Sequence, residues 1–115
     1  MNTPKFKLAV IFSCFVLCLN AQPSNDSAKI IFEKKINIIK EYINGGDPDT
    51  TLKRVGVIQF LEEVTGIQSE SDSYGQIGKL DPTINDYKKW NDWYLNNKEK
   101  IFWDKNENRI IVKSP

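Results

Sequence analysis

The chain has 115 residues, 16 Lys+Arg against 15 Asp+Glu, no His and two Cys. That length accommodates one domain. The zero His count excludes every mechanism that needs an imidazole base or ligand.

Residues 1–21 are expected to be an export signal. Lys5 and Lys7 form a positive start, Leu8 to Leu19 is an apolar run broken only by Ser13, and Asn20-Ala21-Gln22 turns polar with small Ala21 at the cleavage position. The run has 12 residues, and a spanning helix needs about 20. Lipidation at Cys14 is the rival. Ile11-Phe12-Ser13 puts a small residue before that cysteine, but Phe15-Val16-Leu17 stays apolar where a lipoprotein turns polar. The expected location is therefore periplasmic or secreted. Cleavage after residue 21 of 115 leaves 94 residues, and losing Lys5 and Lys7 from the 16 basic residues leaves 14 against 15 acidic ones, a net charge of −1. That balance has no electrostatic footprint for nucleic acid. Both cysteines depart with the signal, so the exported domain folds without disulfides on an apolar core.

Residues 22–27 are polar and expected to be disordered, with 28–115 as a single small helical domain. Asp26 or Ser27 is placed to cap a first helix. Phe32, Ile36, Ile39 and Ile43 follow helical spacing, Ile31, Ile38 and Tyr42 form a second stripe, and Gly45-Gly46 stops the helix. Asp47-Pro48-Asp49-Thr50 reads as the next helix start. Leu52, Val55, Val57, Ile58, Leu61 and Val64 supply its apolar face, Gly66 its end, and Gly56 within it suggests close contact between helices. Residues 67–80 show no clear period; Tyr74, Ile77 and Leu80 are the residues expected to pin them to the core. Asp81-Pro82-Thr83 starts a third helix running to Asn96 or Asn97. Ile101-Phe102-Trp103, a turn over Asp104 to Asn108, and Arg109 to Val112 read as a hairpin. The expected fold is mainly α: a small three-helix domain with a short C-terminal β-hairpin.

Catalytic chemistry finds no foothold. Without His, and without Cys after cleavage, the Ser–His, Cys–His and zinc arrangements are excluded. Gly75-Gln76-Ile77-Gly78-Lys79-Leu80 ends in Gly-Lys, but position 73 is Ser and Leu80 replaces the magnesium-holding hydroxyl of a phosphate loop. Asp104, Asn106 and Asn108 have calcium-loop spacing, yet Arg109 replaces the turn Gly and Pro115 the bidentate Glu, so they read as a polar turn. Glu62, Glu63, Glu70 and Asp72 show no converging pair of the kind a glycosidase needs. No catalytic residue, metal or cofactor is expected. The unusual feature is aromatic: Tyr87, Trp90, Trp93, Tyr94 and Trp103. They are the candidate binding surface, for a protein partner or a glycan. The helical spacing of Tyr87, Trp90, Trp93 and Tyr94 favours a core stripe, with a mixed case in which Trp90 and Tyr94 are buried and Trp93 sits at the edge.

Phe60-Leu61, Val64-Thr65-Gly66, Tyr74-Gly75, Lys89-Trp90, Trp93-Tyr94 and Asn97-Lys98 together resemble a terminal helical unit of bacterial HEAT-like repeat proteins. The Asn-Ala-Gln cleavage pattern and the Ile/Lys/Asn-rich composition resemble small secreted proteins of the Bacteroidota. The resemblance implies a scaffold for protein contacts and transfers no catalytic residue. The chain departs from that pattern in having one unit, a longer loop and a strand-like tail. The expected function is a non-enzymatic interaction or scaffold module of the bacterial envelope. Carbohydrate binding through Trp93 and Trp103 is the alternative, as is an inhibitor or immunity-type role for the acidic loop Ser69 to Ser73.

Overall fold

The structure, a computed structural model, describes residues 24–46 and 51–114. The expected signal and the Asp47–Thr50 helix start lie outside them. The elements run α1 (Asn25–Ile43), α2 (Thr51–Thr65), β1 (Tyr74–Gly75), β2 (Gly78–Lys79), α3 (Ile84–Asn97), β3 (Ile101–Asp104) and β4 (Arg109–Val112). The strands form two separate antiparallel pairs. The fold is mainly α with a C-terminal hairpin, and the described residues contain no cysteine.

Helix α1 begins earlier than its sequence suggested. Ser24, not Asp26 or Ser27, is the cap; its hydroxyl accepts from Ser27 N–H at 3.2 Å. A distant strand fixes this start. Trp103 N–H donates to Ser24 O at 2.8 Å, and Ser24 N–H returns to Trp103 O at 3.2 Å. Asn25 Nδ2 donates to Lys98 O and Ile101 O at 3.0 and 2.8 Å. The expected disorder of residues 22–27 is thus corrected from Ser24 onward: these partners lie more than 70 positions away, and no local pattern announces them. At the far end, Gly46 N–H donates to Glu41 O and Gly45 N–H to Tyr42 O. That paired closure requires the left-handed φ of +89° at Gly45.

Helix α2 buries Val55, Val57, Ile58 and Leu61. Leu52, expected on that face, is 67% exposed. Gly56 also departs from expectation. A Cβ built there meets nothing within 4 Å, so no helix approaches it. Gly66, at φ +74°, ends α2.

Residues 67–80 contain the small hairpin β1–β2, with Tyr74 paired to Lys79 and Gly75 to Gly78. The loop is pinned, and of the three residues expected to do so only Leu80 takes part: it is half-buried, and its carbonyl accepts from Arg54 Nε at 2.7 Å. Tyr74 and Ile77 are exposed, and the anchors are polar. Helix α3 starts with a reciprocal cap: Thr83 Oγ1 accepts from Asp86 N–H at 3.0 Å, while Asp86 Oδ2 accepts from Thr83 N–H at 2.9 Å.

The core forms where α1, α2, α3 and the β3–β4 hairpin meet. Ala28, Phe32, Ile36 and Ile39 of α1 pack with Val57, Ile58 and Leu61 of α2, Trp90 and Tyr94 of α3, and Ile101 and Ile110 of the hairpin. A two-stranded hairpin is marginal alone; here its inner face completes the helical core.

Candidate functional site

The five aromatics divide by depth. Trp90 is fully buried and donates its indole N–H to Ile67 O at 3.0 Å. Tyr94 is buried, stacked on Phe32 with centroids 4.6 Å apart, and its hydroxyl donates to Glu33. Burial, reinforced by the Glu33 carboxylate, pushes the Tyr94 pKa well above the ordinary phenol value. These two serve the core, where no ligand reaches them. Tyr87, Trp93 and Trp103 are half-buried. Trp93 lies against Phe32 at 5.9 Å with a 25° tilt. The structure therefore does not gather the five into one exposed face.

The acidic loop is tied down by its own polar groups. Asp86, 1% exposed, accepts from Ser69 Oγ and from Glu70 N–H at 2.8 Å, besides Thr83 N–H. Lys79 Nζ donates to Glu62 Oε2 at 2.6 Å and to Ser69 O at 3.0 Å. The Glu62 carboxylate holds the Lys79 ammonium above its usual pKa. Glu70 accepts from Asn85 and Lys89, which together draw its pKa down. Nearby, Tyr42 hydroxyl donates to Asp81 at 2.7 Å, and Arg54 stacks over the Tyr42 ring at 4.2 Å. The Tyr42 bond leads the causes that lower the Asp81 pKa. These contacts are architecture: each buried charge already has its partners.

Among the described residues, a groove of about 610 Å³ with room for a ligand lies between the C-terminal hairpin and helices α1 and α2. Its apolar lining includes Ile31, Phe60, Val64, Trp103 and Ile110. Three charged residues flank this lining. Lys35 sits over the Phe60 ring at 5.5 Å; Glu63 and Arg109 also line the groove. Arg109 Nε donates to Glu107 at 2.7 Å, and that carboxylate strengthens the guanidinium's hold on its proton.

One wall of the groove is a strand edge. In an antiparallel pair, residues alternate between exchanging bonds with the partner strand and facing away from it. Lys113 N–H donates to Lys100 O at 2.8 Å. With Ile101 opposite Val112 and Trp103 opposite Ile110, this puts Phe102–Ile111 and Asp104–Arg109 in the bonded class. Trp103 accordingly turns its backbone outward to Ser24. Ile110 and Val112 turn theirs to the opposite edge, where no backbone partner meets them among the described residues.

Of the five aromatics that the sequence offers as a binding surface, Trp103 alone lines the groove. Phe60 and Val64 carry an i, i+4 signal as a second stripe on α2. The hairpin's placement against that stripe carries none. No protein family matches the chain, and no curated protein or solved structure does so.

Proposed function

We propose that this chain is a non-enzymatic, exported protein-interaction module that engages its partner in the groove between α1, α2 and the β4 edge. The observation that carries this reading is the combination of an apolar lining with a strand edge that has no backbone partner among the described residues, in one cleft. Apolar side chains supply affinity and unpaired backbone groups supply direction. The N-terminal pattern of Lys5, Lys7 and Leu8 to Leu19 supports export. Among the described residues, no helix is long and apolar enough to cross a membrane. The resemblance to a terminal HEAT-like unit agrees with this reading, since such a unit completes its surface against a neighbour.

The other readings draw less support. The Trp93 ring is stacked against Phe32 and is half-buried, which leaves it less free for a sugar. The acidic loop has Ser69 and Ser71 buried and Glu70 paired with Lys89, which leaves Asp72 as its one exposed carboxylate without an ion pair among the described residues.

Photo-crosslinking in living cells tests the proposal. A photoreactive residue replaces Val112 in the groove or, as control, Leu95 on α3; both are exposed apolar positions. A discrete protein adduct from position 112 and none from position 95 is the expected result. Equal adducts, or none from either, would remove the groove from consideration.

A further inference from the structure

The β3–β4 hairpin has two outer edges, and they differ. The β3 edge is closed by the reciprocal Ser24–Trp103 bonds and by Asn25 on Ile101 O. The β4 edge presents the N–H and C=O groups of Ile110 and Val112 into the groove. Alternating donors and acceptors at strand spacing are matched by one chemistry, another extended backbone. A sugar or a helix does not reproduce that spacing.

The side chains around this edge narrow the occupant. Cross-strand partners share a face, so Trp103, Ile110 and Val112 look toward the helices, where Ile31, Phe60 and Val64 complete the lining. Arg109, Ile111 and Lys113 share the other face. Lys113 Nζ lies over the Phe102 ring at 4.7 Å. Neither Lys113 nor Lys35 forms an ion pair among the described residues. Among the described residues lining the groove, Glu63 is the one acid, against Lys35 and Arg109. An added antiparallel strand centred opposite Ile111 therefore meets Lys113 at one end, Arg109 with its Glu107 partner at the other, and apolar surface between them.

That charge pattern argues against a second copy. Self-pairing about Ile111 places Arg109 opposite Lys113 of the second copy, twice. Like charges directly opposite destabilise a sheet. Shifting the register toward the turn brings in Asn108, whose φ of +54° is not extended.

We propose that the free edge of β4 captures an extended acidic segment of a partner protein as an added antiparallel strand, with the pattern acidic–apolar–any–apolar–acidic. This deepens the groove reading above and rests on it. The two apolar side chains enter the groove beside Phe60 and Val64. The acidic ones face Arg109 and Lys113, and the backbone pairs with Ile110 and Val112.

The test uses the full chain, ¹⁵N-labelled, and two blocked peptides, Gly-Asp-Val-Thr-Val-Asp-Gly and its Lys-for-Asp counterpart. Titration followed by NMR reads affinity and amide protection together. The acidic peptide is expected to bind and to protect the amides of Ile110 and Val112, with the basic peptide at least about tenfold weaker. Val112→Pro removes an outward N–H without touching the β3 bonds, and is expected to weaken the acidic peptide by about tenfold or more. Retained protection of Phe102 and Ile111 shows that this variant keeps its hairpin. Lys113→Glu is expected to narrow or invert the preference between the peptides, which keeps the proposal exposed even if the proline variant fails to fold.

Several results would overturn the proposal. One is binding that leaves both amides unprotected and is indifferent to Val112→Pro; the groove reading then survives without the added strand. Another is no binding of the acidic peptide at millimolar concentration. Protection of Ile110 and Val112 that rises with protein concentration alone would make the occupant a second copy. Crosslinking from position 112 fails or succeeds separately, so loss of the groove reading is distinguishable from loss of this one.

Discussion

Replacing Asp86 with Ala should be the most damaging single polar substitution in the molecule. Its carboxylate is 1% exposed and accepts from three groups: Ser69 Oγ, Glu70 N–H at 2.8 Å and Thr83 N–H at 2.9 Å. Truncation strands two backbone donors and a hydroxyl in a site with little access to water. Each unsatisfied group costs about 1–3 kcal/mol. Partial relaxation of the loop offsets some of that, so the expected net loss is about 3–5 kcal/mol. A domain of this size has about 5–15 kcal/mol in total. Asp86→Asn should fall between, because one oxygen still accepts while the amide turns a donor toward donors. Urea unfolding followed by tryptophan emission measures both, with exposed Asp92→Ala on the same helix as the control, expected within about 0.5 kcal/mol of the parent. The loop carries Ile67 O, which holds the Trp90 indole, so emission should respond directly. A loss below about 1 kcal/mol for Asp86→Ala would refute the claim that polar anchors hold residues 67–81 in place.

Four further outcomes follow from the same contacts. Gly56→Ala should stabilise the protein by about 0.5–1 kcal/mol in the same urea assay, since a Cβ there meets open space. Gly78→Ala should cost about 1–3 kcal/mol, because φ is +139° and the new Cβ lies 3.1 Å from Gln59 and 3.2 Å from Val55. The raised Tyr94 pKa gives a stability contribution fully present below the unfolded phenol value of about 10 and lost as pH rises above it. Thermal melts should therefore fall off above that pH, and Tyr94→Phe should flatten the fall. Asp81 has the opposite sign: its lowered pKa stabilises above the unfolded carboxylate value and is lost as pH drops through the folded one. Tyr42→Phe should shift the Asp81 titration upward in carboxyl-detected NMR.

The helices were legible because their signals are local. Phe32, Ile36 and Ile39 recur at helical spacing and are buried, and Thr83 with Asp86 makes the cap that the sequence around Asp81-Pro82-Thr83 suggests. The C-terminal hairpin was legible for the same reason, through its apolar pairs and the polar turn in which Asp104 accepts from Asn106 N–H at 2.9 Å. What sequence reasoning missed is non-local. The start of α1 depends on Trp103 and Ile101. The anchoring of residues 67–80 depends on Asp86 and Lys79 meeting Ser69 across the loop. The β1–β2 hairpin has strands of only two residues, too short to leave a period. Leu52 shows the reverse error: helical spacing offers a face, but only packing decides how far along the helix that face is covered.

The site was half legible for a related reason. Five aromatics stood out by residue type, and Trp90 and Tyr94 went to the core, as their helical spacing favoured. Large rings are the cheapest way to fill a small interior without disulfides. Trp103 reached the groove because the hairpin register puts it beside Ile110 on the inner face. No pattern in the sequence tells which edge of that hairpin is left open; that depends on Ser24 closing the other one.

Hydrogen exchange of the four hairpin amides in dilute, unliganded protein tests the central claim most directly. Phe102 and Ile111 should be strongly protected, while Ile110 and Val112 exchange close to the rate of an open strand edge. Equal protection of all four would mean that the β4 edge is already covered, and the groove would not be the place where this protein meets its partner.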